Sequence, residues 1–184
     1  MKTTIPQILE EVNLLTKREL KLKTLRSYDS PVLRGILKLN FDENEIMDLP
    51  PGEPPFRKDI KIPEGYSETN LYVEFRRFYI WMKKTSNPNL SKVRKESLFV
   101  QMLEGLHWKE AEVVCLAKDK KLETKYSELD YDLVYEAFTG LLPFKKKEEK
   151  KPKKSLNEKE TSLVSLENSL QSQQKNSNLL SSGL

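Results

Sequence analysis

Between residues 41 and 69 the chain places five of its ten prolines, at positions 50, 51, 54, 55 and 63. Proline has no backbone N–H and biases the residue before it away from the helical region, so no regular helix runs through this stretch. A segment this long without secondary structure is uncommon inside a folded body and needs a packing reason. Ile46, Leu49, Phe56, Ile60 and Ile62 supply one, because they can be laid against neighbouring helices. The segment therefore reads as an extended strap between two helical lobes, 1–40 and 70–144. Within it, LPPGEPPF sets Leu49, Pro50, Pro51, Pro54, Pro55 and Phe56 in order along an extended backbone. Such a segment either braces the lobes or offers those side chains to a partner, as polyproline segments do.

On both sides of the strap the apolar spacing is helical. Pro6 suits a first turn, with Thr3 or Thr4 as cap, and Ile5, Ile8, Leu9, Val12 and Leu15 follow. Leu20, Leu22 and Leu25 mark a second helix. Ser30-Pro31 starts a third, which carries Val32, Leu33, Ile36 and Leu37. After the strap, Leu71, Phe75, Phe78 and Met82 fall at i, i+4, i+7 and i+11. That spacing predicts one helix over 70–84, with Tyr72, Tyr79 and Trp81 flanking a buried stripe. Asn87-Pro88 closes the turn and Ser91 caps the next helix, which carries Val93, Phe99, Met102, Leu103 and Leu106. Further helices are expected from Trp108 to Lys121 and from Ser127 to Phe138, the last ended by Gly140 and Pro143. No alternating strand pattern appears. The fold class is all-α, built of short helices and helical hairpins.

At Phe144 the composition breaks. No aromatic residue follows, and Ser, Asn, Gln, Lys and Glu dominate residues 145–184. A segment with so little apolar surface cannot offset its chain entropy, so a disordered tail is expected. Leu163, Leu166 and Leu170 keep the spacing of one short helical face. Charge divides at the same point. Residues 1–144 hold 23 basic and 23 acidic side chains, while the tail holds nine and five, which accounts for the net +4. The run KKKEEKKPKK, headed by Lys145, Lys146 and Lys147, has seven Lys and two Glu, or +5. It reads as a solvated linker, or as a salt-sensitive contact blind to sequence.

A neutral body excludes a domain whose whole surface is a nucleic-acid footprint. One local basic face remains: Arg76, Arg77, Lys83 and Lys84, followed by Lys92, Arg94 and Lys95. It is a candidate contact for phosphates or an acidic partner, partly balanced by Glu74 and Glu96.

The chemistry of the chain is otherwise sparse. One Cys excludes an internal disulfide framework, and one Cys with one His cannot make a four-ligand Cys/His zinc site. No phosphate-loop or dinucleotide fingerprint is present. No apolar run approaches the roughly 20 residues of a membrane span. MKTTIPQILEEV carries acids where a secretory signal carries an apolar block, so a cytosolic protein is expected. His107 lies at a helix junction and suits a cap, and Cys115 lies in an apolar helix and suits the core. Asp42, Glu43, Glu45 and Asp48 cluster before the prolines, but without the alternation and central Gly of a calcium loop. No catalytic residue, metal ligand or cofactor is expected.

Several phrases occur in a familiar order: FDENEIMDLPPGEPPFRKD, LYVEFRRFYIW, RKESLFVQMLEGLHWKEAEVVCLAKDKKL and LDYDLVYEAFTGLLPF. Together they resemble a family of small uncharacterised proteins of T-even-type tailed phages, notably those of marine bacteria. The resemblance spans about residues 1–144 and leaves the tail outside. The chain departs from the family pattern at Glu43 and at Thr139, where proline is usual. The resemblance supplies no activity and no catalytic residue. It implies a phage product acting in the cytoplasm of an infected bacterium, or in the virion.

Three functions follow as expectations. The first is a non-enzymatic helical adaptor that binds a host or phage protein, near nucleic acid bound without specificity. The second is a minor head, neck or tail component of the virion. The third is a metal-dependent nuclease built on the clustered carboxylates.

Overall fold

The computed structural model describes residues 3–58, 61–85 and 89–144. The expectations for the tail, including Lys145, Lys146 and Lys147, and for Ile60 and Asn87-Pro88 lie outside the described residues. Among the described residues the fold is all-α, with one isolated antiparallel bridge, Met47 to Met82, and no strand.

Three helices open the chain: α1 (Ile5–Leu14), α2 (Arg18–Ser27) and α3 (Pro31–Phe41). Thr4 caps α1 with half of a reciprocal pair, its N–H donating to Gln7 Oε1 at 3.0 Å. Ser30 caps α3 in full, its hydroxyl accepting the Leu33 N–H at 3.2 Å just ahead of Pro31. After the strap come α4 (Leu71–Glu74), a 3₁₀ helix (Phe75–Ile80), α5 (Lys92–Gly105), α6 (Trp108–Lys118), α7 (Leu122–Lys125) and α8 (Tyr131–Ala137). Among the described residues, no helix is long and apolar enough to cross a membrane.

The expected helix over 70–84 is replaced by the four-residue α4 and the 3₁₀ helix. At three residues per turn, Phe75, Phe78 and Trp81 come onto one face, where 3.6 residues per turn would aim Trp81 aside. Trp81 becomes a fully buried side chain, and Met82 stays half-buried. The rings form a continuous run: Phe75 to Phe78 at 4.9 Å, Phe78 to Trp81 at 6.2 Å and Trp81 to Phe99 at 5.5 Å. Edge-on contacts of this kind add to the area they bury. The last expected helix is also shorter. Asp130 caps α8 through the Leu133 N–H at 2.6 Å, and the residues before it form a turn.

The helices on the two sides of the strap share one core. Helix α3 packs on α6, α1 on both α2 and α6, and α2 on α8. Polar groups lock these seams. Arg26 on α2 donates to the carbonyls of Glu136 at 2.8 Å and Ala137 at 3.3 Å, satisfying the C-terminal end of α8. The buried Asn40 on α3 accepts the Leu122 N–H at 3.0 Å and so caps α7 from outside.

Candidate functional site

The strap leaves α3 through a turn organised by Asp42. Its Oδ1 accepts the Asn44 backbone N–H at 2.9 Å and the Asn44 side-chain amide at 3.1 Å. Burial pushes this carboxyl up, but the bonds from Asn44 and the nearby Lys38 and Lys84 hold it below its ordinary value. At the Met47–Met82 bridge, the Asp48 N–H donates to Trp81 O at 2.6 Å and the Lys83 N–H to Ile46 O at 2.9 Å. Asp48 Oδ2 then takes the Lys95 ammonium at 2.8 Å, which keeps the Asp48 carboxyl below the usual range. The carbonyl of Lys95 in turn accepts the Trp81 indole N–H at 2.9 Å.

The proline corner is tied down by a second buried charge. Lys118 donates to Pro50 O at 2.8 Å and pairs with Asp119 Oδ1 at 2.5 Å. Asp119 Oδ2 accepts the Gly52 N–H at 2.8 Å. Gly52 has φ of +90°, a conformation that side chains resist, so the PPG corner turns there. Further along, the Arg57 N–H reaches Glu104 Oε1 at 3.3 Å, and His107 Nε2–H donates to Ile62 O at 3.1 Å. These bonds run from Pro50 to Ile62 and hold the strap against the helices.

A groove of about 650 Å³ opens between this strap and α5. Leu49, Pro50, Pro51, Pro54 and Pro55 form one wall. Val93, Ser97, Val100 and Gln101 form the other, at the spacing of one helical face. Val93 is 74% exposed and adds apolar surface to that wall. Glu53, Glu96 and Glu104 also border the groove. Glu53 is paired with Lys58 at 2.7 Å, while among the described residues Glu96 has no ion-pair partner. Gln101 and Glu104 continue into a polar recess of about 540 Å³ that reaches His107 and Trp108.

Five of the six strap residues singled out from sequence therefore line one cavity. Phe56 does not; it is half-buried against the core, with Lys58 Nζ 5.3 Å from its ring centre. The basic face does not stay together as a patch. Lys95 is buried, at 5% exposure, and spent on Asp48, so it offers nothing to a ligand. Lys83 and Lys92 lie close enough to Asp48 to help hold its charge. Arg77 pairs with Glu74 at 3.0 Å. Arg94 is exposed at the start of α5. Arg76 and Lys84 line a different cavity, beside Phe75 and Tyr79.

His107 caps α6, its Nδ1 accepting the Lys109 N–H at 3.3 Å while Nε2 serves Ile62, so both ring nitrogens are engaged. Burial pushes the Cys115 thiol up to about 12, far from a nucleophilic thiolate at neutral pH. Glu45 joins Lys38 and Lys84 at 3.0 and 3.1 Å. Among the described residues, no group of three His, Cys, Asp or Glu is placed to hold a metal.

Sequence reasoning missed Lys118, Asp119 and Lys120. Lys120 has φ of +59°, in the left-handed region, and its ammonium donates to the carbonyls of Leu39, Asp42 (2.7 Å) and Glu45 (2.6 Å). It thus closes the C-terminal end of α3 and the start of the strap. The signal was legible in AKDKKL, where four consecutive charges follow the apolar run VVCLA. Glu110 was also missed. It is 2% exposed, and both its oxygens accept the Leu71 N–H at 3.3 Å; burial raises it to about 7.

Residues 8–124 match a family of unknown function (DUF6433). No curated protein and no solved structure matches the chain.

Proposed function

The chain belongs to the family of unknown function DUF6433, and on that footing we propose that it is a non-enzymatic helical adaptor that grips a protein partner between its proline strap and α5. The observation that carries this reading is the fixed groove. The strap wall is tied to buried lysines where it starts, Asp48 to Lys95 and Pro50 O to Lys118, and beyond its far end the Arg57 N–H bonds Glu104, so little conformational entropy is lost when a segment enters. Prolines add rigidity to the same wall. The occupant is a polypeptide segment with apolar anchors for Leu49, Val93 and Val100, flanked by Lys or Arg for Glu96 and Glu104. Opposite charge at the rim speeds encounter and sets orientation.

The use of His107 as a cap and the raised thiol of Cys115 support a binding role over a nucleophilic one. The resemblance to T-even-type phage proteins supports a setting in the cytoplasm of an infected bacterium. The test is affinity purification of tagged protein from infected cells with nuclease treatment, run beside Val93→Asp and Glu96→Lys. The expected result is a partner that survives nuclease, binds the purified wild-type chain directly, and is lost with both variants. Equal recovery with the variants, or no nuclease-resistant partner, would overturn the reading.

A further inference from the structure

We propose that the cavity between α3 and the 3₁₀ helix is a contact site for single-stranded nucleic acid, with a base stacked on Tyr79 and phosphates held by Arg76 and Lys84. The inference does not depend on the strap groove.

The cavity measures about 560 Å³. Phe75, Phe78, Met82 and Leu39 give it an apolar lining, and Gly35 lets Phe75 lie directly on α3. Tyr79 borders this lining yet is 61% exposed. A large aromatic ring held by its neighbours but left open to solvent is the arrangement that base stacking uses.

The charge around the ring is positive. Lys38 and Lys84 share the carboxylate of Glu45 and also lie near that of Asp42, so these two lysines are balanced. Arg76 is exposed and, among the described residues, has no ion-pair partner. Three cations therefore stand against two acids, and Arg76 is the surplus charge beside the open aromatic ring. Arginine binds phosphate with a fixed fork of donors and also stacks on flat rings. An unpaired strand presents both groups this site complements, a flat base and a phosphate one sugar away. A duplex hides its base faces. An acidic peptide matches the cations but gives Tyr79 no base to stack on.

The test is fluorescence anisotropy of a labelled 15-nucleotide oligo(dT) with the full chain, whose Lys-rich tail stays in place throughout. All substitutions are at exposed positions, and circular dichroism checks that each variant is folded. Tyr79→Ala is expected to weaken binding roughly five- to hundredfold, and Tyr79→Phe to leave it within about twofold. Arg76→Ala and Lys84→Ala should each lower the dependence of log affinity on log salt by about 0.7. The proposal is overturned if oligo(dT) does not bind, if Tyr79→Ala matches wild type, or if Tyr79→Phe loses as much as Tyr79→Ala. Equal binding of a duplex of the same charge, or of polyglutamate, overturns it as well and returns the site to plain electrostatic attraction.

Discussion

Phe75 lays its ring against Gly35 so closely that a Cβ at position 35 would sit 2.0 Å from Phe75 Cζ. Gly35 is inside α3, where glycine costs about 1 kcal/mol relative to alanine. The fold tolerates this residue because it admits the first ring of the aromatic run that ends on Phe99.

Gly35→Ala is therefore expected to destabilise, by about 1 to 2 kcal/mol net, because the displaced ring outweighs the gain in helix propensity. In a Phe75→Ala background the clash is gone, and the same change should stabilise by up to about 1 kcal/mol. Urea unfolding of the double-mutant cycle measures this reversal of sign. Destabilisation of equal size in both backgrounds would mean that the ring is not what position 35 accommodates.

Lys118→Met should cost about 3 kcal/mol. It takes the buried ammonium away from the Asp119 carboxylate, which keeps only the Gly52 N–H, and from the Pro50 carbonyl. Chemical denaturation gives the loss, and limited proteolysis in residues 49–58 should become faster in the variant. A stable variant with unchanged cleavage would show that the strap is held by other means.

Lys120 separates backbone strain from side-chain bonding. Lys120→Met keeps the left-handed backbone and removes three bonds to carbonyls, at an expected cost of about 2 to 3 kcal/mol. Lys120→Gly loses the same bonds but relieves about 1 kcal/mol of strain, so it should be the milder change. Melting temperatures rank the two, and the reverse order would refute the assignment of strain.

Glu110 gives a signed pH dependence. In the folded chain it keeps its proton up to about 7, against an ordinary 4.5 in the unfolded chain. Between those values the folded state holds the extra proton, so this group's contribution is full below pH 4.5 and is lost as pH rises through 7. The full effect is on the order of 3 kcal/mol. Glu110→Gln keeps an acceptor for the Leu71 N–H and removes the titration. Stability measured at pH 5 and pH 8 should differ less in the variant than in wild type. An unchanged difference would place the pH dependence elsewhere.

Much of the helical body was legible because apolar period and caps agree. Ser30-Pro31 and Ser91 each begin a helix where a side chain can accept an amide N–H, whereas α8 starts at the Asp130 cap and not at Ser127. The 3₁₀ helix was not legible, because Leu71, Phe75, Phe78 and Met82 satisfy a 3.6-residue period as well as Phe75, Phe78 and Trp81 satisfy a period of three. Tertiary packing of Trp81 against Phe99 decides between them. The strap's proline wall was legible, since proline restricts the backbone wherever it stands. Its opposite wall was not, because Val93, Ser97 and Val100 look like an ordinary helix surface until the strap is laid beside them. The pairing of Lys95 was not legible for a related reason: sequence shows a lysine's charge but not its partner, and Asp48 of the strap claims Lys95.

The most direct test of the account is amide hydrogen exchange on the chain bound to the partner recovered by affinity purification. The account predicts slowed exchange in residues 92–104 of α5 and in the strap from 49 to 58, with α2 and α8 unchanged. Protection confined to α2 and α8, with the strap and α5 exchanging as in the free chain, would contradict it.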